Sequence, residues 1–293
     1  MMKNIIQSYL KEITTTKGYA PLTIKAYKED LIQFYLFCES LQKIEISLIN
    51  ERTIKLYLVH LNELGLEKSS ISRKLSSIRS FFSFAFKKAF INKNLIAYTK
   101  NPKVKRKLPE VIQEELYGTL LNNIRAAQHK DYLLHISVTE VLYGASLRVS
   151  EASNLLLKDV DFSSSIIRVV GKGNKTRIVP LGEKSKLILH EYLLSRPTDK
   201  NQKYFFLKSN GCNVSSNYIY RFVRKYLSEL TDLKKKSPHI FRHSSATHML
   251  NHGADLTAIK EILGHSNLST TQIYTQVSIE RLKNVYKQAH PKS

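Results

Sequence analysis

The stretch Ile166-Ile167-Arg168-Val169-Val170-Gly171-Lys172-Gly173-Asn174-Lys175-Thr176-Arg177-Ile178-Val179-Pro180 decides the fold class. Its two ends, Ile166 to Val170 and Thr176 to Pro180, are rich in β-branched residues, and a turn with two glycines lies between them. That pattern predicts two strands joined as a hairpin. On both sides the apolar residues recur at helical spacing instead, so the chain is expected to be mainly α with a small β-sheet.

Toward the N-terminus, Ile5, Ile6, Tyr9, Leu10 and Ile13 form one apolar stripe on a 3.6-residue period. Pro21, suited to a first helical turn, opens a second helix through Ile24, Tyr27, Leu31, Phe34 and Cys38. A third carries Ile54, Tyr57, Leu58, Leu61 and Leu64 and stops at Gly65. The fourth is expected to start at the capping residues Ser69 and Ser70 and to turn Ile71, Leu75, Ile78, Phe82 and Ala85 inward, leaving Arg73, Lys74 and Arg79 on its surface. Residues 1–99 thus read as a helical bundle with a basic, DNA-binding side. The following segment 100–108, KNPKVKRKL, holds five Lys or Arg, among them Lys103, Lys105 and Arg106, with a proline and no apolar period. It reads as an interdomain linker that can lie along phosphates, ahead of a second domain over 109–293 in which helices resume from about Ser215.

Across the chain 46 Lys plus Arg outnumber 24 Asp plus Glu, a net charge of +22. Self-repulsion on that scale opposes compaction unless a polyanion neutralises it, and nucleic acid is the natural candidate. Charge and helices alone suit a noncatalytic architectural DNA-binding protein as well as an enzyme, or simply a basic soluble chain. Cys38 and Cys212 stand far apart with no CxxC or Cys/His cluster, so neither a disulfide framework nor a structural zinc site is expected, and a reducing cytoplasm fits. The N-terminus reaches Lys11 and Glu12 before a signal-peptide core could form, and no apolar run approaches a membrane span. A cytoplasmic, nucleoid-associated protein is expected.

Three segments concentrate groups that can do chemistry. In Leu142-Tyr143-Gly144-Ala145-Ser146-Leu147-Arg148-Val149-Ser150-Glu151 an arginine follows a glycine break and precedes a short helix; taken alone it fits a surface salt bridge as well as a catalytic site. In Ser237-Pro238-His239-Ile240-Phe241-Arg242-His243, Pro238 sets a helix start and puts His239 and Arg242 three apart on one face. In the third, Asp255 can cap a helix anchored by Leu256, Ile259 and Ile262 and stopped by Gly264, just before His265. Ser269-Thr270-Thr271-Gln272 then has the form of a capping box opening a helix that contains Tyr274. Tyr274 could present a hydroxyl there, or be a core tyrosine.

The four segments LYGASLRVSE, GKGNKTRIVPLG, SPHIFRHSSATHML and EILGHSNLSTTQIYTQV occur in the order and spacing of the tyrosine site-specific recombinases, the phage-integrase family, and the chain resembles the Xer branch. KGYAPLTIKAY and RLKNVYKQAHP extend the resemblance over nearly the whole length. It implies an N-terminal helical SAM-like core-binding domain and an α+β catalytic domain. Residue by residue it assigns Arg148, Lys172, His239, Arg242 and His265 to the active site and Tyr274 as nucleophile. Ala145-Ser146 stand where the family has Thr-Gly, and Ser245 where an aromatic is common, which puts local packing in doubt more than chemistry.

The implied reaction is cleavage and rejoining of duplex DNA through a 3′-phosphotyrosine. Arg148 and Arg242 suit the nonbridging oxygens, and His239 and His265 can donate to the same phosphate, His239 also helping to take the phenolic proton. Lys172 suits the general acid for the 5′ leaving oxygen, with Lys175 in the same turn as its rival or as a phosphate contact. Glu151 either steadies a cationic neighbour or is a surface carboxylate. No metal and no cofactor is expected, ATP included. The family further implies a homotetramer or heterotetramer on two recombination sites, with the segment after Tyr274 docking into a neighbouring protomer. Resolution of chromosome or plasmid dimers, with a septal DNA translocase as a further partner, is the biological role implied. A phage or mobile-element integrase is the alternative within this chemistry, and a type IB topoisomerase a more distant one.

Overall fold

The computed structural model describes residues 2–16, 18–94, 96, 99, 110–171, 176–197, 202–234, 236–264 and 276–291, without the side chains of 276–278. The chain divides into two compact units, Met1–Lys107 and Leu108–Ser293.

The first unit is built from α1 (Met2–Thr15), α2 (Pro21–Ser40), α3 (Glu51–Glu63) and α4 (Lys68–Lys87). Met2, Ile6, Tyr9 and Ile13 form the buried stripe of α1, with Ile5 and Leu10 half-buried on its flanks. Pro21 stands in the first turn of α2, where its missing N–H costs nothing. Asn50 caps α3 by accepting the Thr53 N–H at 3.0 Å, and Gly65 ends it at φ +71°, a left-handed turn that needs no Cβ. Tyr9, Phe34, Tyr57, Phe81 and Phe82 meet edge to face at the centre.

Two expectations for α4 are corrected. Its N-cap is Glu67, so Ser69 and Ser70 lie inside the first turn. Lys74 is buried instead of lying on a basic surface: Asp30 of α2, only 1% exposed, takes its ammonium at 3.0 Å, and Gln33 accepts from it too. A buried carboxylate requires a partner, and Lys74 is on the face that can reach it. Arg73 pairs with the same Asp30 while remaining half-exposed, and Arg79 donates to the Thr99 carbonyl at 2.6 Å. Lys103, Lys105 and Arg106 lie outside the described residues.

The second unit runs α5 (Glu114–Ala126), α6 (Tyr132–Tyr143), α7 (Val149–Ser153), β1 (Val160–Asp161), β2 (Ile166–Val170), β3 (Thr176–Pro180), α8 (Glu183–Ser195), α9 (Ser216–Leu230), α10 (His239–Asn251), α11 (Leu256–Leu263) and α12 (Gln276–Ala289). The strands form one antiparallel sheet in the order β1-β2-β3, with Val169 opposite Arg177 and Ile167 opposite Val179. β2 and β3 have the bounds expected from sequence; the two-residue β1 was too short to show an alternation. Residues 134–143 of α6 are buried throughout, which makes it the central helix of this unit. The last helix is seated on its own unit through Leu282, Tyr286 and Ala289, and the Tyr286 hydroxyl donates to the Gly144 carbonyl at 2.9 Å. The described part of the C-terminal segment thus packs on the second unit of its own chain. Among the described residues, no helix is long and apolar enough to cross a membrane.

Candidate active site

The site grows from the turn between α6 and α7. Gly144 is packed so closely that a Cβ there would come within 2.5 Å of a Glu140 oxygen and 2.7 Å of the Ser185 hydroxyl. Ser146, buried, adopts φ +50°, a left-handed backbone that favours glycine, the residue type the resemblance leads one to expect here. Its hydroxyl and that of Ser245 on α10 lie 2.7 Å apart, and Ser245 in turn bonds His290 Nε2 at 3.0 Å. Ser146 and Ser245, two of the three positions that depart from the expected pattern, are therefore partners, and each satisfies the other's buried hydroxyl.

Arg148 follows as the N-cap of α7. Glu151, in the first turn, accepts the Arg148 N–H at 2.7 Å and its Nη1 at 2.7 Å. A second arginine, Arg177 on β3, grips both Glu151 oxygens through Nη1 and Nη2, each at 2.8 Å. Arg242 on α10 stands with Nη1 3.9 Å from the same carboxylate and donates to the Ser146 and Leu263 carbonyls. Glu151 is thus the hub of three guanidiniums, and the surface-carboxylate reading of it is corrected: its side chain is 6% exposed.

The same three arginines cap the end of α11. Arg177 Nε donates to Ile262 O at 2.9 Å, Arg242 Nη2 to Leu263 O, and Arg148 Nη2 to Gly264 O at 3.3 Å. Carbonyls of a last helical turn lack intrahelical partners and carry the negative end of the helix dipole, so cations suit them. As expected, Asp255 caps the start of α11, accepting the Ala258 N–H at 3.0 Å, and Gly264 ends it at φ +62°.

The electrostatics follow from this crowding. Burial alone would push Glu151 up, but the Arg177 fork and the Arg148 contacts outweigh it and hold the carboxyl at about 2. Burial first, then the charges of Arg148 and Arg177, push Arg242 down to about 9, with Glu151 pulling the other way. Arg242 stays cationic at neutral pH. One carboxylate against three guanidiniums leaves an excess of two positive charges, a setting made for an anion.

His239 is exposed at the start of α10, and its Nε2 shares a 3.0 Å hydrogen bond with the hydroxyl of Tyr220 on α9. Sequence alone does not single out Tyr220 or Arg177. Arg177 left a trace, since it alternates with Val179 on the inward face of β3 and a buried arginine implies a carboxylate. Lys172, Lys175, His265 and Tyr274, with the capping box expected before Tyr274, lie outside the described residues.

Among the described residues His129, Asp131 and His135 could offer ligand atoms to one metal ion. Those atoms already have partners. His129 Nδ1 accepts the Asp131 N–H at 3.0 Å, Asp131 accepts from Ser209 N–H and the Tyr218 hydroxyl, and His135 lies between Tyr218 and Tyr226. Burial, foremost, pushes His135 down to about 4, so it is a neutral hydrogen-bonding group at neutral pH. Cys38 and Cys212 are both free thiols.

Comparison with known proteins gives the same family from both units. Residues 6–89 match the phage integrase N-terminal SAM-like domain and 110–281 the phage integrase family. The tyrosine recombinase XerD of Staphylococcus saprophyticus is 37% identical over 100% of both chains. The tyrosine recombinase XerC of Chlorobaculum parvum is 33% identical over 98% of this chain and 94% of its own. Among solved structures, the Tn1549 transposon integrase in complex with circular intermediate DNA superposes with a TM-score of 0.70 at 24% identity, over 94% of this chain and 98% of that one. XerH bound to its difH substrate superposes at 0.69 and 24%, over 95% and 82%. The fold, helical with a small sheet, is that of these recombinases, and the full-length identity assigns the chain to the phage integrase family, as a tyrosine recombinase that cleaves and rejoins DNA.

Proposed function

We propose that Tyr274 is the nucleophile and that Arg148, Lys172, His239, Arg242 and His265 serve it, in an Xer-type recombinase acting on two DNA sites. The observation that carries this reading is the Glu151-centred cluster in which Arg148 and Arg242 keep an excess of positive charge beside the end of α11.

The Tyr274 oxygen attacks the scissile phosphorus, the phosphorus–O5′ bond breaks, and the strand is left as a 3′-phosphotyrosine with a free 5′ hydroxyl. A phenol with a reference pKa of about 10 needs its proton removed, a task for His239. The departing oxygen takes a proton from Lys172. Charge that develops on the nonbridging oxygens meets the Arg148 and Arg242 guanidiniums and a hydrogen bond from His265, donors whose loss typically costs about two to three orders of magnitude. Because the ester conserves the bond energy, attack by a 5′ hydroxyl reseals the strand without a nucleotide cofactor.

The biological reading is resolution of chromosome or plasmid dimers in the cytoplasm at the nucleoid, by a tetramer under the control of a septal DNA translocase. The N-terminal bundle with Arg79 and the half-exposed Arg73, the basic linker with Lys103, Lys105 and Arg106, and Lys175 would contact the duplex. Support comes from the net charge of +22 and from full-length identity to curated XerC and XerD proteins.

The test is a nicked duplex carrying the chain's own site, obtained by selecting bound duplexes from a random pool. On a denaturing gel, wild type is expected to form a covalent adduct and Tyr274→Phe none. An adduct retained by Tyr274→Phe removes Tyr274 as nucleophile.

A further inference from the structure

We propose that Arg177 is a positioning residue for DNA cleavage: from β3 it fixes Glu151, and through Glu151 it fixes Arg148, without itself reaching the DNA. The inference rests on the proposed roles of Arg148 and Arg242.

Arg177 differs from the other two arginines in how its donors are used. Both terminal nitrogens are committed to the two Glu151 oxygens at 2.8 Å, its Nε is committed to Ile262 O at 2.9 Å, and the residue is only 5% exposed. Arg148, by contrast, keeps its side chain 36% exposed, and its longer bond to Gly264 O leaves a guanidinium that a phosphate can claim. A fully paired fork on a strand held in register by β2 is a fixed reference point, whereas α7 is only five residues long.

The charge balance explains why such a clamp is needed. The charged groups facing Glu151, among the described residues, are Arg148 at the start of its own helix, Arg177 from β3 and Arg242 from α10. With Arg177 in place, the carboxylate's charge is met by a residue whose donors are all turned to the protein. Without it, Glu151 would draw its counter-charge from Arg148 and Arg242, which are wanted at the phosphate. The site's excess of positive charge would fall from two to one.

Arg177 also sets the exit of α11. A Cβ on Gly264 would sit 2.7 Å from Arg177 Cδ, so the arginine's stem lies directly against this left-handed glycine, the residue before His265 in the chain. Glycine is therefore required at 264 for space as well as for backbone conformation.

The test compares full-length Arg177→Met, Arg177→Lys, Glu151→Gln and the Arg177→Met/Glu151→Gln double variant on the same nicked duplex. Arg177→Met is expected to slow adduct formation about ten- to hundredfold, with duplex affinity within a few-fold of wild type, and Arg177→Lys to fall between. In the Glu151→Gln background the same change should cost much less, because Arg177 then has no carboxylate to hold. The acid limb of the rate profile should also move upward in Arg177→Met, since a Glu151 that loses its strongest partner protonates at higher pH. Carbon-detected titration of the Glu151 carboxyl, which needs no cleavage, should show the same rise. An equal loss in both Glu151 backgrounds, or an unmoved carboxyl in Arg177→Met and Arg177→Lys, overturns the proposal. A wild-type chain that forms no adduct overturns instead the reading of Tyr274 on which it rests, and the titration still decides whether Arg177 governs Glu151.

Discussion

At the scale of single residues, Glu151 ties stability to chemistry. Its carboxyl sits at about 2 in the folded chain, below the ordinary 4.5, because the Arg177 and Arg148 contacts outweigh its burial. A group whose folded value is depressed adds stability that is fully present above its unfolded value and is lost as pH falls toward the folded one. The difference is on the order of 3 kcal/mol, disappearing between about pH 4.5 and 2. Calorimetric melting of the full chain at pH 6, 4 and 3 tests this against Glu151→Gln, which has no such proton to take up. Wild type should melt higher at pH 6, and the gap should narrow at each step down. A gap independent of pH would mean that the ion pairs add nothing to the folded state. Sequence spacing points to Glu151 as a neighbour of Arg148 one turn away, which it is, but not to its second partner. Arg177 is 26 positions further on, on a strand, and only the fold brings the two together.

At the scale of elements, the α6–α7 turn pairs two residues that depart from the expected pattern. Ser146 sits at φ +50° where glycine would be unstrained, and its buried hydroxyl is matched by Ser245 on α10 and, through that, by His290 beyond α12. Ser245→Ala takes from the buried Ser146 hydroxyl the partner 2.7 Å away, which should cost about 1–2 kcal/mol. Adding Ser146→Gly then removes one orphaned hydroxyl and relieves the left-handed strain, so the double variant should recover part of that loss. Melting temperatures of the two single variants and the double variant check this; strictly additive shifts would show that the serines do not act as a pair. Elements of this kind were legible to different depths. Runs of β-branched residues on either side of a two-glycine turn give β2 and β3 their bounds, and helical stripes locate α1 to α3. The start of α4 is harder to read, because Ser69 and Ser70 are strong capping residue types, whereas the N-cap is Glu67, whose side chain makes no capping bond. Lys74 was misread because helix periodicity ranks residues by apolarity and cannot see that Asp30, on another helix, needs a cation.

At the scale of the whole molecule, the net charge of +22 is not spread evenly between folding and binding. Lys74 is committed to Asp30 inside the first unit, whereas Lys105 lies in a run of cations with no apolar period. Each phosphate neutralised by a protein cation releases condensed counterions, so the logarithm of the binding constant falls linearly with the logarithm of salt, by about 0.9 per contact. For roughly 6–10 contacts the duplex affinity should drop about 10³–10⁵-fold between about 50 and 200 mM salt. Lys105→Gln should make that slope shallower by about one contact while leaving the melting temperature unchanged. Lys74→Met should do the reverse. Its slope should match wild type, because the lost charge never faced DNA, while the first unit melts lower for want of a partner to a buried carboxylate, a loss of about 3–5 kcal/mol that the remaining Arg73–Asp30 pair reduces. Filter binding across a salt series, read beside calorimetry of the same samples, separates the two. A slope that shifts with Lys74→Met would return that lysine to the DNA-facing surface from which its burial removes it.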